Sequence, residues 1–291
     1  MEAIRTCNLT KYYGKARGIE GLDLTVKLGD FFGFIGPNGA GKSTTIRTLL
    51  GLINATDGSA EILGLDIKSR KTEILSRVGY LPSEAAFYSG MRVRDILRFS
   101  AKLHGKDCSA EAARLCDRLE LDQSRKIDEL SLGNRKKVGI VCAMQHEPEL
   151  YIMDEPTSGL DPLMQREFFA LLKERNSGGA TVFLSSHVLS EVQKYCTHAA
   201  VIRDGQLLVS DSVEHLGHTD AKRVTVRGIA KLPETNNMRD ITFADDGVSF
   251  LYDGKAVDLM KMMSTLPITD ITITEPDLEE VFMHYYEKGD N

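Results

Sequence analysis

The stretch Phe31-Phe32-Gly33-Phe34-Ile35-Gly36-Pro37-Asn38-Gly39-Ala40-Gly41-Lys42-Ser43-Thr44 decides the fold. Phe31 to Ile35 is a short apolar run that reads as a buried strand, and Lys42 to Leu50, with Ile46, Leu49 and Leu50 apolar, reads as a helix. Strand, glycine turn and helix in that order is an α/β signature. Gly36 to Ser43 fits G-x-x-x-x-G-K-[ST] in the setting that motif requires. Glycines let the backbone turn its N–H groups inward around phosphate oxygens, and the helix start adds a field that favours an anion. In that arrangement Lys42 reaches the β- and γ-phosphates and the Ser43 hydroxyl ligates Mg2+. The competing reading is a glycine-rich turn that happens to carry a lysine, and the flanking strand and helix argue against it.

Downstream, Leu150-Tyr151-Ile152-Met153-Asp154-Glu155 is an apolar strand ending in two carboxylates. A buried strand delivers such residues to the carboxyl edge of a sheet, where ligands bind in doubly wound folds. Asp154 suits Mg2+ held through water, and Glu155 suits a general base that aligns water. Further apolar strands are expected at Thr181 to Leu184 and Ala199 to Ile202, so the sheet is parallel and covered on both faces. Upstream, Ala3 to Cys7 and Leu22 to Val26 alternate as strands of an antiparallel sheet do. Residues 91–122 read as two amphipathic helices, Val93 to Leu103 and Ala110 to Leu119, with Ser109 as the N-cap of the second.

The composition bounds the rest. With 42% hydrophobic residues among 291, the chain has ample material for a core and is long for one domain. Apolar stretches such as Val138 to Gln145 fall far short of the roughly 20 residues a membrane span needs. The first ten residues lack the basic-then-apolar order of a signal peptide, so a cytosolic location is expected. Five cysteines without C-x-x-C or metal spacing read as reduced packing residues. The net charge of −6 argues against a life on nucleic acid. Residues 1–209 carry 28 basic and 26 acidic side chains, and residues 210–291 carry 8 and 16, which places a boundary near 210. Beyond it, strands at Arg223 to Arg227, Val248 to Tyr252 and Ile268 to Ile273, with helices at Val257 to Leu266 and Pro276 to Tyr286, form a small α+β unit.

Over residues 1–210 these motifs resemble the ATP-binding subunits of ABC transporters, and they occur in that family's order. After the phosphate loop, Glu129-Leu130-Ser131-Leu132-Gly133-Asn134-Arg135 resembles the signature motif, Ser158-Gly159-Leu160-Asp161 the D-loop, and Ser185-Ser186-His187 the switch histidine. The signature segment reads as a second helix N-terminus, capped by Ser131, with Gly133 allowing close approach of backbone to a ligand. The resemblance implies a P-loop NTPase, RecA-like core with an N-terminal antiparallel β subdomain. A helical subdomain at about 83–145 and the C-terminal extension at 211–291 complete the expected chain.

It also implies ATP and Mg2+ as cofactors. Gly36, Pro37, Asn38, Gly39, Ala40, Gly41, Lys42, Ser43 and Thr44 hold the phosphates, and Tyr13 stacks on adenine, with Tyr12 the alternative. Ser131, Gly133 and Asn134 close over the γ-phosphate held by a second copy. Asp161 links the two sites, or else simply caps the helix at Pro162. Glu155, His187 and Lys42 carry the catalysis, and Ser43 and Asp154 the metal. Where the family has glutamine, after Val78-Gly79-Tyr80-Leu81-Pro82, this chain has Ser83, too short to reach as far, and then Glu84, so that Ser83 or Glu84 takes that place near the metal or the contact is indirect. Leu132 and Asn134 also depart from the family's glycine and glutamine. These changes, with Pro276 to Phe282, resemble the branch that exports drugs, peptides or lipids. The implied partners are an integral membrane permease and a second copy of the chain, at the cytoplasmic face of the membrane. A soluble ABC ATPase acting on a protein partner is the alternative, and a phosphate-loop kinase a third.

Three weaker signals remain. Arg94, Arg98 and Lys102 form a basic stripe on a helix, by default a solvated face. His215 and His218 make a weak metal pair without a closed ligand set. Leu278, Val281, Phe282 and Tyr285 repeat at helical spacing as the core face of a last helix.

Overall fold

The computed structural model describes residues 1–217, 221–229, 232, 237–244 and 246–276. The chain divides into two compact units, Met1–Val213 and Glu214–Asn291.

The first unit opens with β1 (Glu2–Tyr13), β2 (Ala16–Leu22) and β3 (Thr25–Lys27), then β4 (Phe31–Ile35) and α1 (Lys42–Leu49). Next come β5 (Asp57–Ile62), β6 (Leu65–Asp66), α2 (Lys71–Arg77) and β7 (Val78–Leu81). Strands β1, β2, β3, β5 and β6 make an antiparallel sheet in which β2, β3 and β5 all pair with β1. The strand expected over Leu22 to Val26 is split, because β2 ends at Leu22 and β3 begins at Thr25. Its alternation survives, with Leu22, Leu24 and Val26 buried.

Three helices follow β7: α3 (Val93–Leu103), α4 (Ser109–Arg118) and α5 (Leu132–Met144). Ser109 is not the N-cap of α4: the cap position is Cys108, and the Ser109 N–H is taken by the Asp107 carboxylate at 3.0 Å. The uncharged run from Val138 becomes the buried half of α5, where every residue from Val138 to Met144 except Cys142 is buried. Then come β8 (Leu150–Asp154), α6 (Pro162–Ser177), β9 (Thr181–Ser186), α7 (Leu189–Tyr195), β10 (His198–Arg203) and β11 (Gln206–Ser212).

The second sheet runs β11-β10-β4-β9-β8-β7, parallel throughout except for β11. Strands β4, β8 and β9 are buried at every residue, as expected of parallel strands covered on both faces. Phe32 and Phe34 pack on Phe183 at ring distances of 5.9 and 5.3 Å, joining β4 to β9. Register aligns Ile35 with Ser186, Asp154 with Ser185 and Leu81 with Met153. The carboxyl ends of β4, β7, β8 and β9 therefore share one edge, and the phosphate loop, Ser83, Glu155 and His187 all follow from it.

Helix α8 (Val213–Gly217) spans the boundary between the units. In the second unit, β12 (Lys222–Arg227), β13 (Met238–Ala244), β14 (Gly247–Tyr252) and β15 (Asp270–Thr274) form an antiparallel sheet ordered β13-β14-β12-β15, with α9 (Ala256–Met263). Val224, Val226, Phe250 and Tyr252 from the sheet and Leu259 and Met263 from α9 make its core. The sequence reading missed β13 and began β15 two residues early. Of the helix expected over Pro276 to Tyr286, everything after Pro276, including the apolar stripe, lies outside the described residues, as does His218.

Candidate nucleotide site

The turn between β4 and α1 is built on glycine. Gly39 (φ +83°) and Gly41 (φ +107°) are left-handed, a conformation that carries no Cβ penalty only for glycine. A Cβ on Gly36 would lie 2.4 Å from the Ile202 carbonyl, and one on Gly41 2.8 Å from that of Gly18. Helix α1 has no side-chain cap, so its first N–H groups are open to an anion. A cavity of about 280 Å3 lies over this turn, lined among others by Tyr13, Arg17, Lys42, Ser43, Ser83 and Glu155. Asn38, Gly39, Gly41 and Thr44 also line it. Gly36, Pro37 and Ala40 do not. The Gly36 and Pro37 carbonyls face inward, accepting from Lys42 Nζ at 2.7 and 3.1 Å, and Ala40 is buried.

Lys42, 4% exposed, also pairs with Glu155 Oε1 at 3.1 Å. On the far side of the same carboxylate, His187 Nδ1 stands 3.5 Å from Oε2. Glu155 itself has φ +47°, a strained conformation for a residue with a side chain. Its N–H is held by the carbonyl and the hydroxyl of Ser185, each at 3.2 Å. Asp154 is fully buried: Oδ1 accepts from Ser185 Oγ at 2.6 Å, and Oδ2 has no partner among the described residues. An unpaired buried carboxylate oxygen is costly and calls for a cation or a bound water.

The two tyrosines are told apart by their partners. The Tyr12 hydroxyl donates to Glu20 at 2.7 Å, which raises its pKa and lowers that of Glu20. Tyr13 is half exposed at the cavity rim, with Lys11 Nζ 5.2 Å from its ring centre. Ser83 reaches the cavity, whereas Glu84 is exposed and does not line it.

Ser131, Gly133, Asn134 and Asp161 are not among the cavity-lining residues. Ser131 caps α5, its hydroxyl accepting from the Asn134 N–H at 3.3 Å. Asp161 caps α6, accepting from the N–H groups of Leu163 and Met164, both at 3.0 Å. The close approach that Gly133 permits here is to its own chain, since a Cβ would lie 2.7 Å from the Gly159 carbonyl. The start of α5 thus meets the turn at Gly159 that precedes α6, and Leu132 is 73% and Leu163 69% exposed.

Sequence reasoning missed Arg17, which enters the cavity from β2, and Lys136, whose buried ammonium on α5 reaches Glu155 from behind. Neither sits in a motif. Among the described residues no group of three metal-ligating side chains occurs, and no helix is long and apolar enough to cross a membrane. The cysteines are free thiols, and burial pushes Cys142 up to about 12 and Cys116 to about 11.

A phosphate loop at a parallel sheet's switch edge, flanked by the buried Asp154, the partly exposed Glu155 and a histidine, defines a nucleoside-triphosphate-binding α/β protein. Residues 19–158 match the family described as ABC transporter. The chain is 35% identical over 297 residues to the bacitracin transport ATP-binding protein BcrA of Bacillus licheniformis, covering 96% of each. It is 29% identical over 298 residues to the linearmycin resistance ATP-binding protein LnrL of Bacillus subtilis (strain 168), covering 95% of this chain and 96% of that one. A solved ATP-binding subunit of an ABC transporter is 30% identical, with a TM-score of 0.69 over 74% of this chain and 91% of that one. The chain belongs to the ATP-binding proteins of ABC transporters and is an ATPase of that family.

Proposed function

We propose that this chain hydrolyses ATP in the Lys42 cavity as half of a head-to-tail pair, and that the pair drives a separate membrane permease of the exporter type from its cytoplasmic face. The observation that carries this reading is the Glu155 carboxylate, suspended over the phosphate loop between Lys42 at 3.1 Å and His187 at 3.5 Å. On binding, the β- and γ-phosphates replace that carboxylate and the loop carbonyls as partners of Lys42, while the Asn38 to Thr44 backbone and the start of α1 hold the remaining oxygens. Tyr13 offers its ring to the base.

Released from Lys42, Glu155 takes a proton from water as the water oxygen attacks the γ-phosphorus. The bond to the β–γ bridging oxygen breaks, and ADP and phosphate leave. His187 orients the water and γ-phosphate. The unpaired Oδ2 of Asp154 and the Ser43 hydroxyl at the cavity would hold Mg2+, and Ser83, unlike Glu84, lines the same cavity. Such an ion neutralises phosphate charge.

Ser131, Gly133, Asn134 and Asp161 serve the cavity of the second copy, which their position away from their own cavity, with Ser131 and Asp161 exposed, favours. The ATP-binding domain is residues 1–210, and residues 211–291 are an accessory domain. The alignments with BcrA and LnrL run over 96% and 95% of the chain and so take in that accessory part, which favours export of an antibiotic-like peptide or lipid. Glu155→Gln should slow phosphate release by about 10²-fold or more while ATP binding is kept. Normal turnover in that variant contradicts the proposal.

A further inference from the structure

Lys136 stands on α5, five residues from the exposed Ser131, yet is only 4% exposed. Its Nζ donates to three main-chain carbonyls outside its own helix: Ser83 at 2.8 Å, Glu155 at 3.0 Å and Pro82 at 3.3 Å. An ammonium has three N–H donors and no acceptor, so these oxygens match its capacity. A glutamine amide has two donors and brings an oxygen that would face the same carbonyls. A buried cation is tolerated only when paired and hydrogen-bonded. Burial pulls the Lys136 pKa below its usual range, against the opposing pull of Asp154, Glu155 and Glu84.

The two segments it grips are the ends of β7 and β8, at the edge where the cavity lies. One carries Ser83 and the other Glu155 in its left-handed conformation. Such strain persists only where the surroundings over-determine it. Ser185 fixes the N–H of Glu155, and Lys136 fixes its carbonyl, so the residue is clamped on both sides. Lys136 lies roughly 7 Å along the helix axis from Ser131, within one rigid helix.

We infer that Lys136 is a positioning residue for hydrolysis, tying the main chain at Glu155 and Ser83 to the helix that begins at Ser131, so that a shift of that helix moves the Glu155 carboxylate. The inference rests on the proposed role of Glu155. The anchored loops are what Lys136 contributes, and the carboxylate it positions stands over the phosphate loop without touching Lys136 through its own oxygens.

The test is steady-state ATPase kinetics and amide exchange on the full chain, comparing wild type, Lys136→Met and Lys136→Gln, with Glu155→Gln alongside. Lys136→Met should lower kcat by about 30-fold with KM for ATP within about threefold, and Lys136→Gln should lie between it and wild type. In Lys136→Gln, amides of residues 83–86 and 155–158 should exchange at least about fivefold faster, while those of residues 31–35 keep their rate. Should Lys136→Met fail to fold, the Lys136→Gln kinetics and exchange decide alone. Unchanged kcat and unchanged exchange in a folded Lys136 variant, with Glu155→Gln inactive, overturn the inference and leave the reading of Glu155 standing. Normal turnover by Glu155→Gln removes that reading instead. A rise in KM as large as the fall in kcat, with exchange accelerated in residues 31–35 as well, marks general loosening and also overturns it.

Discussion

Two helix N-termini in the first unit present opposite faces of the same chemistry. At the start of α1 the turn is closed around one cation: Lys42, itself buried, directs its charge at two carbonyls and Glu155. At the start of α5 the turn is open, with Ser131 making a single long cap bond and Leu132 standing in solvent. Both ends have free N–H groups that favour an anion. The closed one sits in a cavity with a candidate base, and the open one has none. A site that hydrolyses ATP needs both kinds, which is why one copy is half a machine under the proposed function.

The comparison breaks first at Lys42. Replacing it by methionine removes the charge-assisted contacts to phosphate and should weaken ATP binding by about 10- to 100-fold, measured by titration with a fluorescent nucleotide. Undiminished affinity would mean that the closed turn is not where phosphate sits.

Ser131→Ala probes the open turn. Turnover should fall about tenfold with ATP affinity of the single chain unchanged, because the hydroxyl serves the other copy. The lost cap should also lower stability by about 1 kcal/mol, read from chemical denaturation. Loss of single-chain affinity would place Ser131 in its own copy's cavity and erase the contrast.

The smallest effect lies at the far end of α5, which is as dry as its start is wet. His146 is buried, stacked on His104 at 3.6 Å, with its Nε2 3.2 Å from the Val78 carbonyl. Burial, then the neighbouring His104 imidazole, pulls the His146 pKa down to about 4. Burial lowers that of His104 as well, with Lys106 adding to it. The unfolded chain, with ordinary imidazoles near 6.5, binds protons in this range that the folded chain does not. Stability contributed by the neutral stack is therefore full above about pH 6.5 and falls as the pH drops toward 4. Tm should be about 3 °C lower at pH 5 than at pH 7.5, and His146→Gln should flatten that slope.

Local strings made half of this legible. Lys42, Ser43, Asp154 and Glu155 are consecutive with the strands that place them, so periodicity and glycine spacing suffice. Strands β2, β5 and β13 were not legible, because Ala16–Leu22 and Asp57–Ile62 carry glycines and polar residues and Met238–Ala244 is mostly exposed. Their pairing comes from β1 and β14 rather than from their own pattern. Arg17 and Lys136 escape for a different reason. Their neighbours in space are distant in sequence, and within Arg135-Lys136-Lys137 nothing marks the middle cation as the one that reaches the ends of β7 and β8. The identity of the residue that Gly133 approaches, Gly159, is likewise a tertiary fact.

Light scattering on Glu155→Gln with and without Mg2+ and ATP tests the shared site most directly. The account predicts a chain that is monomeric alone, doubles in mass when ATP is added, and returns to the monomer when Ser131→Ala is combined with it. A chain that binds ATP and keeps the mass of a single copy would contradict it.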